Sequence, residues 1–357
     1  MEAHNVRVEF PSGKLEEPMK LGLLTGVLGD LDRRSAFAHS KALGFDAVEL
    51  GTGEFTTDAH AGLERLSGEV GAIAELQRDL DDAGLELSAL SCHNNALHPQ
   101  PEYASRADGV FRRTVEVASA LGVENVVVFS GCPGEPGGRY PNWITTPWPG
   151  YFDDLLEWQW SEKVIPYWTE AAEFAAGCGV RIAIEMHPGM SVYNLPTLLR
   201  LREACGPAIG ANFDPSHLWW QGMDPLLVLR EVARAGALFH VHAKDTFVDA
   251  TVVVRSGVLE TVSHVAPERA WRFTTIGYGH DLGFWRALVG ELRSVGYDGV
   301  LSVEHEDPLA PIDEALERSV AILRDCIWRG ASAETAWLTD DDPPYMATTS
   351  TASDSKN

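Results

Sequence analysis

The sequence predicts a single (β/α)8 TIM barrel. Three observations carry this: short apolar or β-branched runs alternate with longer stretches of helical apolar spacing, the alternation repeats eight times, and 357 residues suits one large α/β barrel. In chain order, KLGLLTGV (20–27) leads into helical spacing near 31–43, and FDAVEL (45–50) into 68–83. LELSALSC (85–92) leads into 104–121, ENVVVFS (124–130) into 160–177, and VRIAIEMH (180–187) into 193–205. AIGANFD (208–214) precedes 225–235, ALFHVHA (237–243) precedes 281–295, and GVLSVE (299–304) precedes 312–329. Gly44, Gly84, Gly122, Gly179 and Gly296 fall at helix-to-strand junctions, where a left-handed residue is wanted. No strand runs into a GxGxxG turn, which argues against an open dinucleotide-binding sheet.

Two segments exceed what the barrel needs. Residues 131–159 are rich in Gly, Pro and aromatics, and 143–168 holds five of the eleven tryptophans. The other segment is 246–280, after the seventh strand. Both follow strands, so both are expected on the C-terminal rim, where barrel enzymes place their sites. The tryptophan-rich segment fits a lid core, an aromatic wall for substrate, or a face buried against a partner. Residues 1–19 read as an N-terminal extension, 20–331 as the catalytic barrel, and 332–357, acidic and rich in Ser and Thr, as a mobile tail.

The formal charge of −24 repels phosphate backbones and anionic lipid, so neither nucleic acid nor membrane is expected as a partner. Five scattered cysteines with no CxxC pair indicate neither a disulfide framework nor a Cys-rich zinc site. With no signal-like N-terminus and no long apolar run, the cytoplasm is the expected location.

Glu185, Asp214, His242 and Glu304 lie at or beside the ends of the last four barrel strands, at spacings of 29, 28 and 62 residues. Subtracting the second insertion brings the last interval near one ordinary unit. One strand-end carboxylate usually caps a helix or pairs with a base, but four ionisable residues at matched barrel positions describe a ring. Three carboxylates and one imidazole suit one hard divalent ion, Mn²⁺ first and Mg²⁺ or Co²⁺ next. Strand alternation turns His187 to the same side as Glu185, and His240 to the same side as His242. His240 reads as a hydrogen-bonded core residue. His217, Lys244 and His93, close to strand ends, are the candidate substrate contacts.

The motifs IEMHPG, NFDPSHL, HVHAKD and SVEHED make residues 20–330 resemble the xylose-isomerase-like sugar phosphate isomerase/epimerase family. The insertion PNWITTPWP and the later ERAWRFTTIGYGHD are similar to the branch containing large subunits of bacterial C-glycoside deglycosidases. The resemblance implies a metal ring of Glu185, Asp214, His242 and Glu304, with His217 contacting substrate. For isomerases and epimerases it implies Glu185 and Glu304 as the acid/base pair. For the deglycosidase branch it implies His187 as the base that deprotonates C2 of a 3-oxo-glycoside before the aglycone is eliminated, and a smaller β-subunit as partner. The alternatives are a ketose or sugar isomerase/epimerase, an abasic-site endonuclease, which the acidic charge disfavours, and a non-catalytic sugar-binding or structural subunit.

Overall fold

The computed structural model describes residues 18–330 apart from His264 and Pro267; the expected tail at 332–357 and most of the expected N-terminal extension lie outside them. Eight parallel strands close the barrel: β1 (Lys20–Leu24), β2 (Ala47–Gly51), β3 (Glu86–Ser91), β4 (Asn125–Phe129), β5 (Arg181–Glu185), β6 (Ile209–Phe213), β7 (Leu238–Ala243) and β10 (Val300–Val303). They pair around the ring in the order β1, β10, β7, β6, β5, β4, β3, β2, so the eight expected strands are all present. Several stop earlier than their apolar runs: β1 gives way to a 3-10 turn over Thr25–Leu28, and β5 ends at Glu185, before His187.

The outer layer consists of α1 (Arg33–Leu43), α2 (Leu63–Gly68), α3 (Ala72–Ala83), α4 (Pro101–Leu121), α5 (Tyr151–Gln159), α6 (Ile165–Gly177), α7 (Leu195–Cys205), α8 (Ser216–Trp219), α9 (Pro225–Arg234), α10 (Ala250–Ser256), α11 (Leu282–Ser294) and α12 (Ile312–Cys326). The helix expected over 68–83 begins later, because Gly71 adopts φ +89° between α2 and α3. Within the first insertion, α5 joins α6 through a π turn at Trp160–Val164. Pro166 lacks an N–H, so the continuous helix loses one backbone donor where the π turn passes into α6. The second insertion adds an antiparallel pair, β8 (Asp245–Val248) with β9 (Trp271–Thr274), and α10 between them.

The main core lies between barrel and helices, where Leu23, Val48, Leu90 and Ile182 meet Phe37, Phe111, Trp168 and Trp285. Inside the barrel, Ala89, Val127 and Ala183 surround Phe239. The Phe239 ring takes the space of any side chain at Gly210, whose added Cβ would come within 2.3 Å of it. Above this apolar plug the interior turns polar, with Glu49, Ser91, Asn212, His240, His242 and Ser302 all buried. No helix among the described residues is long and apolar enough to cross a membrane.

Candidate active site

The structure brings Glu185, Asp214, His242 and Glu304 together: one ligand atom from each lies within 4.8 Å of the other three. Hydrogen-bond register alone would not align them, because Glu185 pairs with Asn212 and His242 with Ser302. Asp214 and Glu304 sit two residues further along than those partners. In a barrel the strands tilt, so residues paired across the ladder differ in height, and two residues of rise bring side chains level.

Glu185 is fully enclosed. Asn212 Nδ2 donates to its Oε2 at 2.8 Å, with His93 Nε2 at 3.2 Å from Oε2 and His217 Nε2 at 3.0 Å from Oε1. Burial by itself would raise this carboxyl, but His93, then His217 and His242, hold it well below the usual range. Asp214 is pushed up to about 6 by burial, against the pull of His217 and Lys244. Glu304 is held at about 2, since Lys244 and His242 outweigh its burial. Lys244 is itself buried yet held above its ordinary value by Glu304 and Glu306; its Nζ lies 3.1 Å from Glu304 and 4.1 Å over the Phe273 ring.

Three buried atoms, Asp214 Oδ2, Glu304 Oε2 and His242 Nδ1, converge at the centre without a well-aligned hydrogen bond among the described residues; Asp214 Oδ2 has His217 Nε2 at 3.4 Å and Glu304 Oε2 has the Lys244 ammonium at 3.1 Å. His242 Nδ1 is 3.2 Å from both Glu185 Oε2 and Glu304 Oε2. Buried polar atoms are normally well paired, and convergent atoms of this donor type fit a hard divalent cation. These four residues can therefore hold one metal ion.

His187 lies just past β5, with Nδ1 2.6 Å from the Pro188 carbonyl and its ring 4.3 Å from that of His217 and 4.4 Å from Phe129. A carbonyl only accepts, so Nδ1 carries the hydrogen and Nε2 keeps its lone pair. Burial, aided by His217, lowers this imidazole to about 3 and keeps it neutral. His187 and His217 enter the wall of a cavity of about 520 Å³ completed by Trp143, Trp220, Trp271 and Phe273. Trp220 and Trp271 stack at 4.3 Å and 4°, with Arg269 over the outer face at 4.2 Å. His93 and Lys244 do not line this cavity; they sit behind Glu185 and Glu304.

The aromatic wall differs from one made by the tryptophan-rich segment alone. Of its tryptophans only Trp143 lines the cavity; Trp160 and Trp168 are buried in the main core, and Trp148 is 79% exposed. Sequence reasoning also missed Glu49, an acidic residue inside an apolar strand run, which receives hydrogen bonds from His240 and His242. A carboxylate inside FDAVELG was the available signal. A larger cavity of about 800 Å³ opens at the opposite barrel end, between Lys20, Glu86 and Arg324. Neither it nor the cavity beside His187 is lined by a ring residue; Glu304 lines a smaller one of about 340 Å³ with Phe55 and His305.

Residues 37–326 match the family of xylose isomerase-like TIM barrels, and the chain belongs to that family. It is 37% identical over 314 residues to the uncharacterized protein YfiH of Bacillus subtilis (strain 168), covering 87% of this chain and 99% of that one. Solved structures of similar fold include a probable 3-DHS dehydratase, AsbF, from Bacillus anthracis, with a TM-score of 0.61 at 16% identity over 86% of this chain and 99% of that chain. Another is the apo form of 3-keto-D-glucoside 4-epimerase, YcjR, from E. coli, with a TM-score of 0.58 at 17% identity over 86% of this chain and 100% of that chain.

Proposed function

We propose that this chain is a divalent-metal-dependent lyase acting on 3-oxo-glycosides, with Glu185, Asp214, His242 and Glu304 holding one ion, Mn²⁺ by preference. The observation that carries the reading is the position of His217, which lies 3.0 Å from Glu185 of the ring and, with His187, lines a cavity walled by Trp143, Trp220 and Trp271. A bound cation supplies Lewis acidity toward the 3-oxo oxygen, which acidifies the neighbouring C2–H. His187 Nε2, with its lone pair free, accepts that proton. The C2–H electron pair enters a C1=C2 double bond, the bond from C1 to the aglycone breaks, and the aglycone leaves with the electron pair of that broken bond and collects a proton. His217 faces both Glu185 and the cavity, which suits a substrate contact. His93 and Lys244, the other proposed contacts, steady the two glutamates from behind. The aromatic walls take the apolar aglycone.

A smaller partner subunit belongs to this reading. Tyr140, Trp148 and Tyr151, each more than 60% exposed within the first insertion, offer it an apolar surface. The AsbF and YcjR structures support the chemistry by analogy: one is described as a dehydratase, an eliminating enzyme, and the other acts on a 3-keto sugar.

One observation favours a second reading, a metal-dependent ketose or sugar isomerase or epimerase. Glu185 and Glu304, which the family resemblance makes the acid/base pair, converge on the ring centre, each 3.2 Å from His242 Nδ1. Incubation with Mn²⁺ and either a 3-oxo-C-glycoside or a ketose separates the two. Free aglycone, from the chain alone or reconstituted with a co-purified smaller subunit, supports the lyase. An epimerised sugar with no aglycone from any preparation replaces it with the isomerase reading.

A further inference from the structure

Below the ring, the barrel interior holds a second polar group built around Glu49 on β2. Its side chain has no solvent exposure. His240 Nε2 lies 2.9 Å from Oε2, His242 Nε2 lies 3.0 and 3.1 Å from the two oxygens, and Ser302 Oγ donates to Oε2 at 2.7 Å. Ser91 Oγ donates to Oε1. Glu49, His240 and His242 are also close enough to share an ion of their own. Counting acceptor sites decides between the two possibilities. A carboxylate offers about four lone-pair positions, and two serines and two histidines already fill them. The cluster is a closed hydrogen-bond network rather than a second cation site.

We infer that Glu49 is a positioning residue acting through His242. By accepting from Nε2 it selects the tautomer and ring orientation that leave Nδ1 as a lone pair at the centre of the ring. Nδ1 is buried at the ring centre, 3.2 Å from both Glu185 Oε2 and Glu304 Oε2, where a shared cation would lie between the three. Carboxylates that orient a metal-binding imidazole act in this way generally. Ser91, Ser302 and His240 do the same for Glu49, each holding an oxygen in place. The inference rests on the four-residue ring binding metal, as proposed above.

Calorimetric titration of Mn²⁺ into the chelator-treated full chain tests it, with Glu49→Gln and Ser302→Ala alongside. The expected result is one ion per chain, affinity lowered roughly 10–100-fold in Glu49→Gln, and a smaller loss in Ser302→Ala, which removes one of the groups holding Glu49 but keeps the contact between Glu49 and His242. Unchanged affinity in Glu49→Gln, two ions per wild-type chain, or equal weakening in both variants would overturn it. If Glu49→Gln does not fold, ¹⁵N imidazole spectra of the Mg²⁺-loaded wild type decide: a proton on His242 Nε2 and none on Nδ1 supports the inference, and the reverse overturns it. Failure of the wild type to take up any Mn²⁺ removes the metal reading itself; uptake unaffected by Glu49→Gln removes only the role of Glu49.

Discussion

Asp245 is the hinge pin of the second insertion, and Asp245→Ala is the perturbation that shows it. Its buried carboxylate accepts from the Thr246 amide at 2.8 Å, the Gly277, Gly279 and His280 amides at 2.9, 3.1 and 3.0 Å, and His280 Nδ1 at 2.8 Å. The chain comes so close here that a Cβ at Gly279 would lie 2.3 Å from the Thr246 carbonyl oxygen. Five bonds at about 1 kcal/mol each sum to about 5 kcal/mol. The half-buried amides at 277–280 can recover water, whereas the Thr246 amide is buried and cannot. The expected loss is therefore about 3 kcal/mol, or roughly 4–5 °C in Tm for a chain of this length. Because the same insertion carries Trp271 and Phe273 to the cavity, the variant should also raise KM more than it lowers kcat. Thermal unfolding measures the first effect and amide exchange at 277–280 locates it. A loss below about 1 kcal/mol, with exchange at those amides unchanged, would refute the reasoning.

Three further predictions concern the site. His187→Ala should retain one metal ion per chain by elemental analysis while turnover falls by roughly 10²–10⁴; loss of the ion would make His187 a ligand or its support. Trp271→Ala removes the face stacked on Trp220, and should weaken binding of an aromatic 3-oxo-glycoside by about 1–3 kcal/mol in KM while leaving Mn²⁺ affinity unchanged. Chelator treatment should lower Tm, and Mn²⁺ at about 100 times its Kd should restore about 2.7 kcal/mol; Glu304→Gln should abolish most of that gain, as followed by differential scanning calorimetry.

The alternation of strand and helix was legible because each element announces itself over ten residues or so, and closed pairing of eight such units is the solution that buries every strand on both faces. The set Glu185, Asp214, His242 and Glu304 was legible for a related reason: strand ends in a barrel all open on one rim, so position along each local unit is enough to gather them. The interruption at Gly71 and the continuation of α5 into α6 were not, since a glycine or proline marks a boundary without saying on which side the helix continues. Glu49 stayed hidden because its meaning depends on His240, 191 residues away, which only barrel closure brings across the interior. The cavity wall depended in the same way on the second insertion folding back to stack Trp271 on Trp220. Local pattern thus determined which side chains reach the rim; the three-dimensional packing decided which of them line the cavity and which brace a neighbour, because those properties belong to pairs of residues distant in the chain.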